Sequence, residues 1–222
     1  MELRELALFK NIDTGLLEKI SLNATLKKCS AKTIIFDEGS LNDTNPFILK
    51  SGIVVISKTN KLGHETSVDI KYTGDGFGWA SSIDCGPRTG RAVAIVNSEY
   101  WSFDSSITVE LLNNVKFNHN LLCYLTMYIR LNEDILANIN STHADAKILS
   151  QLLRIGIYHK NNNTVLVHNK INQEIIASFA GASRETVSRE VKKLKNQSII
   201  KVDFNKNLII NFNKAKELLK FK

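Results

Sequence analysis

Three side chains that could read DNA bases stand close together in the sequence: Arg184, Glu185 and Arg189. An arginine can donate two hydrogen bonds to N7 and O6 of guanine, and a glutamate can accept one from the N4 amino group of cytosine. Helical spacing places all three on the face opposite to an apolar stripe. An ordinary solvated amphipathic helix would carry similar charges, so the flanking residues must decide between these two interpretations.

The flanking sequence, residues 172–195, predicts two short helices joined by a tight turn. Apolar residues at helical spacing give the first helix one buried face. Gly181 stands where the chain must turn sharply, which favours a residue without Cβ, and Ser183 can cap the second helix. The turn, the cap and the base-reading residues together predict a helix-turn-helix unit that enters the major groove of double-stranded DNA.

A hairpin is predicted after the second helix. Apolar residues at 199–202 and 208–211 flank the polar residues 203–207, a pattern typical of the wing of a winged helix-turn-helix. We expect hydroxyl and ammonium groups near the reading helix to contact the DNA backbone. These residues are Ser183, Thr186, Ser188, Lys201 and Lys206.

The charge of the chain is unevenly distributed. Residues 144–222 contain 15 Lys and Arg against 6 Asp and Glu, a net charge of +9, whereas residues 1–143 contain 14 against 16, a net charge of −2. A basic domain attached to a nearly neutral one is the electrostatic footprint of phosphate-backbone binding. This asymmetry independently favours nucleic-acid binding by the C-terminal part.

Length and composition exclude several classes of protein. A chain of 222 residues with 43% hydrophobic residues can form one or two domains with real cores. No apolar run approaches the roughly 18–20 residues of a bilayer span, and the acidic first residues do not resemble a signal peptide. The cysteines, Cys29, Cys85 and Cys123, have neither disulfide nor zinc spacing. We therefore expect a cytoplasmic protein with reduced thiols, no metal site and no membrane partner.

The hydrophobic pattern indicates three regions. Short helices up to about residue 25 are followed by many short apolar segments with Gly-containing turns, which are typical of an antiparallel sandwich or roll. Helical periodicity then extends over 107–141, and a further helix is expected over 146–158. We therefore predict an α+β protein with an N-terminal domain over residues 1–106, a long helix over 107–143 and a DNA-binding domain over 144–222.

The long helix contains a heptad-like apolar pattern. Its positions are spaced alternately four and three residues apart, as in a coiled-coil seam: Leu121, Leu125, Tyr128, Asn132, Ile135 and Ile139. A polar residue such as Asn132 in this seam would fix register and dimeric state. A second stripe, Leu122, Ile129 and Leu136, would pack on the strand domain. We predict a homodimer whose reading helices contact half-sites about one helical turn apart; the alternative is a helix buried within one subunit.

Together these features resemble the cyclic-AMP receptor protein and fumarate–nitrate regulator (Crp/Fnr) superfamily of bacterial transcription regulators. The resemblance covers nearly the whole chain and is most specific over residues 181–189, where Arg184, Glu185 and Arg189 match the base-reading positions of the cyclic-AMP receptor branch. It implies an N-terminal antiparallel β-roll (a double-stranded β-helix like that of cyclic-nucleotide-binding domains), TGTGA-like half-sites and RNA polymerase as a partner. The sequence departs from the family at Ser198, where a glycine usually follows the recognition helix.

The resemblance also implies an effector pocket in the roll. Gly78 belongs to the turn before the phosphate-binding cassette, and Arg88 with Thr89 resembles the pair that holds a cyclic phosphate, since a guanidinium beside a hydroxyl suits a phosphodiester. Trp79 replaces the acid that grips the ribose hydroxyl. Residues of the long helix complete the implied pocket: Tyr128, Asn132 and Glu133. The alternative for Arg88 is an arginine in a surface loop.

The sequence does not decide the identity of the effector. Trp79 predicts that it is not cyclic AMP, because an unpaired buried hydroxyl costs about 1–3 kcal/mol and the indole would crowd the sugar. An iron–sulfur cluster needs four cysteine ligands, and the chain contains three cysteines. Haem ligation by a histidine (His64, His119 or His143) and a thiol switch at Cys85 remain alternatives, so the cofactor is unknown.

Several functions are therefore compatible with the sequence. We predict a non-enzymatic transcription regulator whose unidentified small-molecule effector biases the arrangement of the DNA-binding domains by population shift. A constitutive DNA-binding protein with a degenerate pocket is one alternative, and a cyclic-nucleotide-dependent regulator is another. A small β-barrel enzyme fused to a DNA tether is disfavoured, because the sequence has no His-x-His metal spacing and no convincing Ser/His/Asp set.

Overall fold

Short apolar segments separated by turns form an N-terminal β-roll, as the sequence predicts. A computed structural model describes residues 2–61, 63–138 and 143–220. The chain divides into two compact units, Met1–Ile129 and Arg130–Lys222. The division falls within the long helical region, so that the roll and the winged unit are separate bodies with buried residues of their own.

The first unit combines helices with antiparallel strands. Two 3-10 helices, Leu3–Glu5 and Ala7–Phe9, precede helix α1 (Thr14–Asn23). The strands are β1 (Thr25–Cys29), β2 (Ile34–Phe36), β3 (Phe47–Ser51), β4 (Val54–Thr59), β5 (Glu65–Lys71), β6 (Gly76–Phe77), β7 (Arg91–Ala94) and β8 (Ser98–Ser102). Helix α2 (Trp79–Asp84) lies between β6 and β7, and helices α3 (Ser105–Asn113) and α4 (Val115–Asn138) follow β8.

These strands form two four-stranded sheets in the described residues, with the orders β1-β8-β3-β6 and β2-β7-β4-β5. Every pair is antiparallel. Apolar side chains from both sheets fill the space between them: Phe47, Leu49, Val54, Phe77, Ala92, Ala94 and Tyr100. The predicted β-roll is confirmed. The sequence prediction lacks β1, β6 and α2, because these elements are short or largely exposed and show no clear apolar period.

A second core lies between the roll and its helices. The rings of Phe9, Trp79, Phe103 and Phe117 pack together in it, with centroids 5.5–6.5 Å apart. Leu121 of α4 also belongs to this core. Helix α4 is therefore attached to the roll along its first turns by burial of apolar side chains, the main favourable contribution to folding.

The helical region after the roll consists of two helices. Asn114 has an extended backbone (φ −80°, ψ 116°) between α3 and α4. Its Oδ1 accepts a hydrogen bond from the backbone N–H of Phe117 at 3.0 Å. This side chain satisfies an orphan N–H at the start of α4, as capping residues do. The prediction of one continuous helix over 107–141 is therefore wrong at Asn114.

The two apolar stripes of α4 face in the opposite directions to those predicted. Leu121 is 2% exposed in the helical core and Leu125 packs against that core, while Tyr128 bonds to the roll. Leu122 and Ile129 are each 59% exposed. The prediction that Leu121, Leu125 and Tyr128 face a second chain is therefore wrong, and so is the prediction that Leu122 and Ile129 pack on the strands.

The physical reason is that adjacent helical residues point about 100° apart, so either stripe can be the one that meets the roll. Asn132, in the remainder of the predicted seam, is exposed. The side chains of Ile135 and Leu136 and the whole of Ile139 lie outside the described residues.

The second unit is a winged helix-turn-helix, as the sequence predicts. Its helices are α5 (Ala144–Ile155), α6 (Gln173–Ala180), α7 (Arg184–Asn196) and α8 (Phe212–Lys220), with a 3-10 helix at Lys160–Asn162. Its strands are β9 (Ile157–His159), β10 (Thr164–Val167), β11 (Ile200–Val202) and β12 (Leu208–Asn211), in the sheet order β11-β12-β10-β9. The helix predicted over 146–158 ends earlier, because Tyr158 pairs with Val165 in the sheet and packs on the ring of Phe212.

Candidate functional site

The helix-turn-helix is built by local capping. The Asn172 side chain accepts a hydrogen bond from Ile175 N at 2.9 Å and starts α6. Gly181 ends α6 in the left-handed region at φ 55°, where a residue without Cβ is favoured. The hydroxyl of Ser183 then accepts a bond from Thr186 N at 3.2 Å and starts α7. The predicted turn and cap are therefore confirmed.

The exposed face of α7 brings the predicted base-reading residues together. The side chains of Arg184 and Arg189 are 65% and 67% exposed. With Glu185 and Ser188 they line one open depression. Two further polar residues line it, Gln173 at the start of α6 and Lys192 on α7. Neither residue was predicted from the sequence, although Lys192 lies three residues after Arg189, which places it on the same side of the helix.

Local contacts already orient part of this face. Arg184 Nη1 lies 3.7 Å from Glu174 Oε1 on α6. Hydrogen bonds from its own backbone amide and from the Ser183 hydroxyl lower the pKa of Glu185. Glu185 is therefore an ionised acceptor, the form that can accept a hydrogen bond from a base. The hydroxyls of Ser183 and Thr186 are 3.0 Å apart and bond to each other.

The inner face of α7 contains charged side chains as well as apolar ones. Arg189 Nε donates to Glu190 Oε1 at 3.0 Å. Lys193 Nζ donates to Asp145 Oδ2 of α5 at 3.1 Å and lies 3.6 Å from Glu190 Oε2. The hydrogen bond and the charge of Asp145 raise the pKa of Lys193. Glu190 and Asp145 were not predicted from the sequence, since an acidic residue at a buried helical position has no periodic signature.

The wing carries its basic residues on an ordered turn. Lys201 and Lys206 are exposed, and Lys206 has a left-handed backbone at φ 64°. The Asn207 side chain donates to Asp203 Oδ2 at 2.9 Å, and Asn169 Nδ2 donates to the carbonyl oxygen of Asn205 at 2.7 Å. These bonds hold the hairpin tip against the segment that leads into α6, where basic side chains can meet phosphates.

Ser198 occupies the position at which the family usually has glycine. Its backbone is left-handed, with φ 55°, a conformation that is unusual for a residue with a Cβ. The backbone N–H groups that follow α7 still close the helix, because Ser198 N donates to Lys195 O and Ile199 N donates to Leu194 O. The turn therefore forms without glycine.

Arg88, the predicted phosphate ligand of the roll, is buried. Its side chain is 1% exposed. Nη1 donates to the Gly78 carbonyl at 2.9 Å and Nη2 to the Asn45 carbonyl at 2.7 Å. The guanidinium carbon lies 4.3 Å from the ring centroid of Phe36, and Asp43 Oδ1 is 3.7 Å from Nη2. The alternative interpretation of Arg88 as a surface-loop arginine is therefore wrong.

The environment of Arg88 also shifts its pKa. Burial lowers the pKa of Arg88, and Asp43 opposes that effect. Arg88 Nε is buried without a hydrogen-bond partner among the described residues. Gly78 has φ 75°, and a Cβ there would lie 2.6 Å from Arg88 Nη1, so only glycine allows this approach. Thr89, the predicted partner of Arg88, is exposed.

Trp79 belongs to the helical core, away from the rings that surround Arg88. It packs on Phe103 and Phe117, and its Nε1 is buried without a hydrogen-bond partner among the described residues. The expectation that its indole would crowd a sugar beside Arg88 is wrong, because the ring is directed into the contact with α4. An acid at this position would have to be buried among aromatic rings.

The predicted pocket residue Tyr128 belongs to a different polar cluster. The Lys71 ammonium contacts the Tyr128 hydroxyl and lies 2.7 Å from Asp69 Oδ2, and Tyr124 donates to the Gly76 carbonyl at 2.8 Å. Burial raises the pKa of Tyr124 and Tyr128, so both phenols stay protonated. Tyr128 and Arg88 share none of these partners.

Other predicted ligands are surface residues. Asn132 and Glu133 are exposed and belong to the second unit. The three possible haem ligands, His64, His119 and His143, are also exposed. Among the described residues, no group of three His, Cys, Asp or Glu side chains could hold a metal ion. None of the described helices has the length and apolar character needed to cross a membrane.

Both units match known protein families. Residues 26–114 match the family model of the cyclic nucleotide-binding domain, and residues 146–218 match that of the Crp-like helix-turn-helix domain. The chain is 28% identical to the CRP-like cAMP-activated global transcriptional regulator of Mycobacterium tuberculosis, with 79% of each chain covered. It is also 28% identical to the cyclic AMP receptor protein of Thermus thermophilus, with 76% of each chain covered.

Solved structures have the same fold at lower sequence identity. FixK2 from Bradyrhizobium japonicum matches with a TM-score of 0.72 at 19% identity, covering 88% of this chain and 96% of that one. A CooA variant from Carboxydothermus hydrogenoformans matches with a TM-score of 0.72 at 19% identity, covering 99% and 96%.

A cyclic-nucleotide-binding fold joined to a winged helix-turn-helix defines a class of DNA-binding transcription regulators. The sequence relatives named above are themselves transcription regulators or cyclic AMP receptors. The chain belongs to the Crp/Fnr superfamily, which confirms the resemblance seen in the sequence.

Proposed function

We propose that the chain is a homodimeric regulator that reads palindromic DNA with TGTGA-like half-sites through Arg184, Glu185 and Arg189. One observation carries the proposal: the three side chains are exposed together at the N-terminal end of a capped helix and line one depression. Guanidinium and carboxylate groups in that arrangement match the donor and acceptor pattern of guanine and cytosine in the major groove.

Backbone contacts would complete the interface. We assign Ser188, Lys201 and Lys206 to phosphates because all three are exposed on α7 or on the wing. Ser183 and Thr186 bond to each other, and a phosphate oxygen would accept from whichever hydroxyl is released. These contacts are expected to position the helix without reading sequence.

The test is fluorescence anisotropy of the full chain with three duplexes: a palindrome of two TGTGA half-sites, the same palindrome with its guanines replaced by adenines, and a random sequence. Specific sites are typically bound about 10³-fold or more tightly than random DNA at physiological salt. We expect such a preference for the first duplex. Equal affinity for all three would contradict the proposal.

The homodimer would form through the exposed stripe of α4. Val115, Leu122 and Ile129 are spaced seven residues apart and are all exposed, which is the spacing of one coiled-coil position. Leu122→Glu with Ile129→Glu should give a monomer in light scattering. Val109→Glu on α3 replaces an equally exposed apolar residue and should leave the mass unchanged. A dimer that survives the first pair of changes would refute this interface.

The effector we propose is a small molecule other than cyclic AMP. The support is that the Arg88 side chain is 1% exposed and already donates to two backbone carbonyls, so a phosphate could reach the guanidinium only if the residues around it moved. Calorimetry on ligand-stripped protein tests this point. A low-micromolar dissociation constant with cyclic-AMP-dependent DNA binding would favour the cyclic-nucleotide alternative, which the names of the sequence relatives suggest. Cognate binding that no ligand alters would favour the constitutive alternative.

We also propose RNA polymerase as a partner and the cytoplasm as the location, because one sequence relative is named a global transcriptional regulator. Co-purification of polymerase on promoter DNA with and without the protein would test the contact. Unchanged polymerase occupancy would argue against it.

A further inference from the structure

We infer that Glu190 is a positioning residue that fixes the guanidinium of Arg189 for base recognition. The inference rests on the proposed base-reading role of Arg189 and adds a residue on the inner side of the helix. Glu190 follows Arg189 directly on α7, yet its side chain is only 9% exposed.

Glu190 interrupts the buried stripe of α7. The apolar members of this stripe are Val187, Val191 and Leu194, and Glu190 lies three residues after Val187 on the same side of the helix. A buried carboxylate costs free energy unless charged or hydrogen-bonding partners compensate for its lost hydration. A leucine would pack at this position without that cost, and the carboxylate differs from it in accepting a hydrogen bond from the exposed Arg189.

Arg189 is the first partner of this carboxylate. Its Nε donates to Glu190 Oε1 at 3.0 Å. Adjacent residues on a helix normally do not face each other, so the arginine side chain must lie back across the helix to make the bond. The bond uses Nε and leaves the two terminal nitrogens for O6 and N7 of guanine. Holding the side chain before DNA arrives reduces the rotamer entropy that binding would otherwise cost.

Lys193 lies on the other side of the carboxylate, where Glu190 Oε2 is buried without a hydrogen-bond partner among the described residues. Lys193 Nζ lies 3.6 Å from Glu190 Oε2 and 3.1 Å from Asp145 Oδ2. Asp145 belongs to α5 and its side chain is only 4% exposed, so it is a fixed anchor. Alternating charges therefore run from a buried point on α5 to the exposed arginine, in the order Asp145, Lys193, Glu190, Arg189. The orientation of Arg189 is tied to the body of the winged unit.

The experiment compares Glu190→Leu with Glu190→Gln on a set of duplexes in which each base pair of the TGTGA half-site is changed in turn. Leucine fills the buried position and removes the acceptor, whereas glutamine keeps an oxygen that can accept from Nε. We expect Glu190→Leu to bind the cognate duplex roughly tenfold more weakly, as for the loss of one hydrogen bond to a charged group. Affinity for random DNA should hardly change, and Glu190→Gln should keep most of the specificity.

A double variant separates positioning from general stabilisation. If Glu190 acts through Arg189, then Arg189→Ala with Glu190→Leu should bind no more weakly than Arg189→Ala alone. Both variants should lose discrimination at the same base pair. Additive losses in the double variant, or equal losses on cognate and random duplexes, would overturn the inference.

The failure of this inference and the failure of the proposed function give different results. If Arg189→Ala keeps full base discrimination, the proposed reading role is wrong and the inference falls with it. If Arg189→Ala loses discrimination and Glu190→Leu retains it, only the positioning role is overturned. Thermal unfolding of each variant checks that the winged unit is folded in every comparison.

Discussion

Arginines in the two units have opposite environments, although the sequence suggests nucleic-acid or phosphate recognition for both. Arg184 and Arg189 of the winged unit are 65% and 67% exposed, whereas the Arg88 side chain of the roll is 1% exposed. The exposed pair retains terminal nitrogens for an external ligand, while Arg88 donates to carbonyls of its own chain. A guanidinium is available to an external ligand only where the fold leaves it exposed.

The residues next to these arginines differ in the same way. Glu185 is exposed beside Arg184, and its lowered pKa keeps it ionised. Trp79 follows the glycine that accepts from Arg88 and is buried among aromatic rings. In the winged unit the predicted binding residues are therefore exposed to solvent, whereas in the roll Arg88 and Trp79 are part of the interior.

The largest effect is expected from restoring an acid in the roll. Trp79→Glu should destabilise the first unit by at least about 3–5 kcal/mol, the cost of removing a large buried aromatic side chain, because a charge would also be buried. Trp79→Phe keeps an aromatic ring and should cost less. Urea unfolding followed by circular dichroism compares the two variants. A stable Trp79→Glu protein that gains cyclic AMP binding would show that this position belongs to the pocket after all.

A smaller loss of stability is expected at Arg88. Arg88→Ala removes the donors to the Asn45 and Gly78 carbonyls, and each buried polar group left unpaired costs about 1–3 kcal/mol. Tryptophan fluorescence in urea measures this loss, because both tryptophans lie in the first unit. Arg91→Ala is the control, since Arg91 is a partly exposed arginine paired with Asp37 and exposed ion pairs contribute little to stability. Equal losses would erase the distinction between the buried and the exposed arginine.

The exposed arginines should show the reverse behaviour. Arg184→Ala or Arg189→Ala should cost about 1–3 kcal/mol in binding to the cognate palindrome. For Arg184→Ala the free energy of unfolding should change by no more than about 0.5 kcal/mol, whereas Arg189→Ala also removes the hydrogen-bond partner of the buried Glu190 carboxylate and should lower it by about 1–3 kcal/mol. Anisotropy titrations and urea unfolding of the same preparations measure both quantities. If cognate and random DNA lose affinity equally, these arginines contact phosphates and do not read bases.

The smallest effect is expected on the wing. Lys206→Ala removes a single phosphate contact, so affinity should fall similarly for all DNA sequences. The slope of log affinity against log salt concentration should become less steep by about one, as for one released counterion fewer. Titrations over a range of salt concentrations give this slope. Lys61→Ala removes an exposed charge from the first unit and should leave the slope unchanged. A sequence-dependent loss in Lys206→Ala would show that the wing reads bases.

The sequence by itself determined the features that depend on local interactions. The caps of α6 and α7, the turn at Gly181 and the hairpin of the wing follow from residue types whose preferences act over a few positions. The exposed placement of Arg184, Glu185 and Arg189 also follows, since a helical period fixes which residues oppose a buried stripe. The β-roll could be predicted as a class because short strands and turns recur along its sequence.

Only the tertiary structure decided the features that depend on contacts distant in sequence. Helical periodicity reveals two neighbouring apolar stripes on α4 but cannot tell which meets the roll. Leu121 is buried and Leu122 is exposed, the reverse of the prediction. Arg88 is buried because the Asn45 carbonyl, 43 residues earlier, reaches its guanidinium. Lys193, the ion-pair partner of Glu190 on α7, also contacts Asp145 on α5, and no local pattern encodes that contact between helices. Burial is a property of the packed chain, and it decides which charged residues remain available to a ligand.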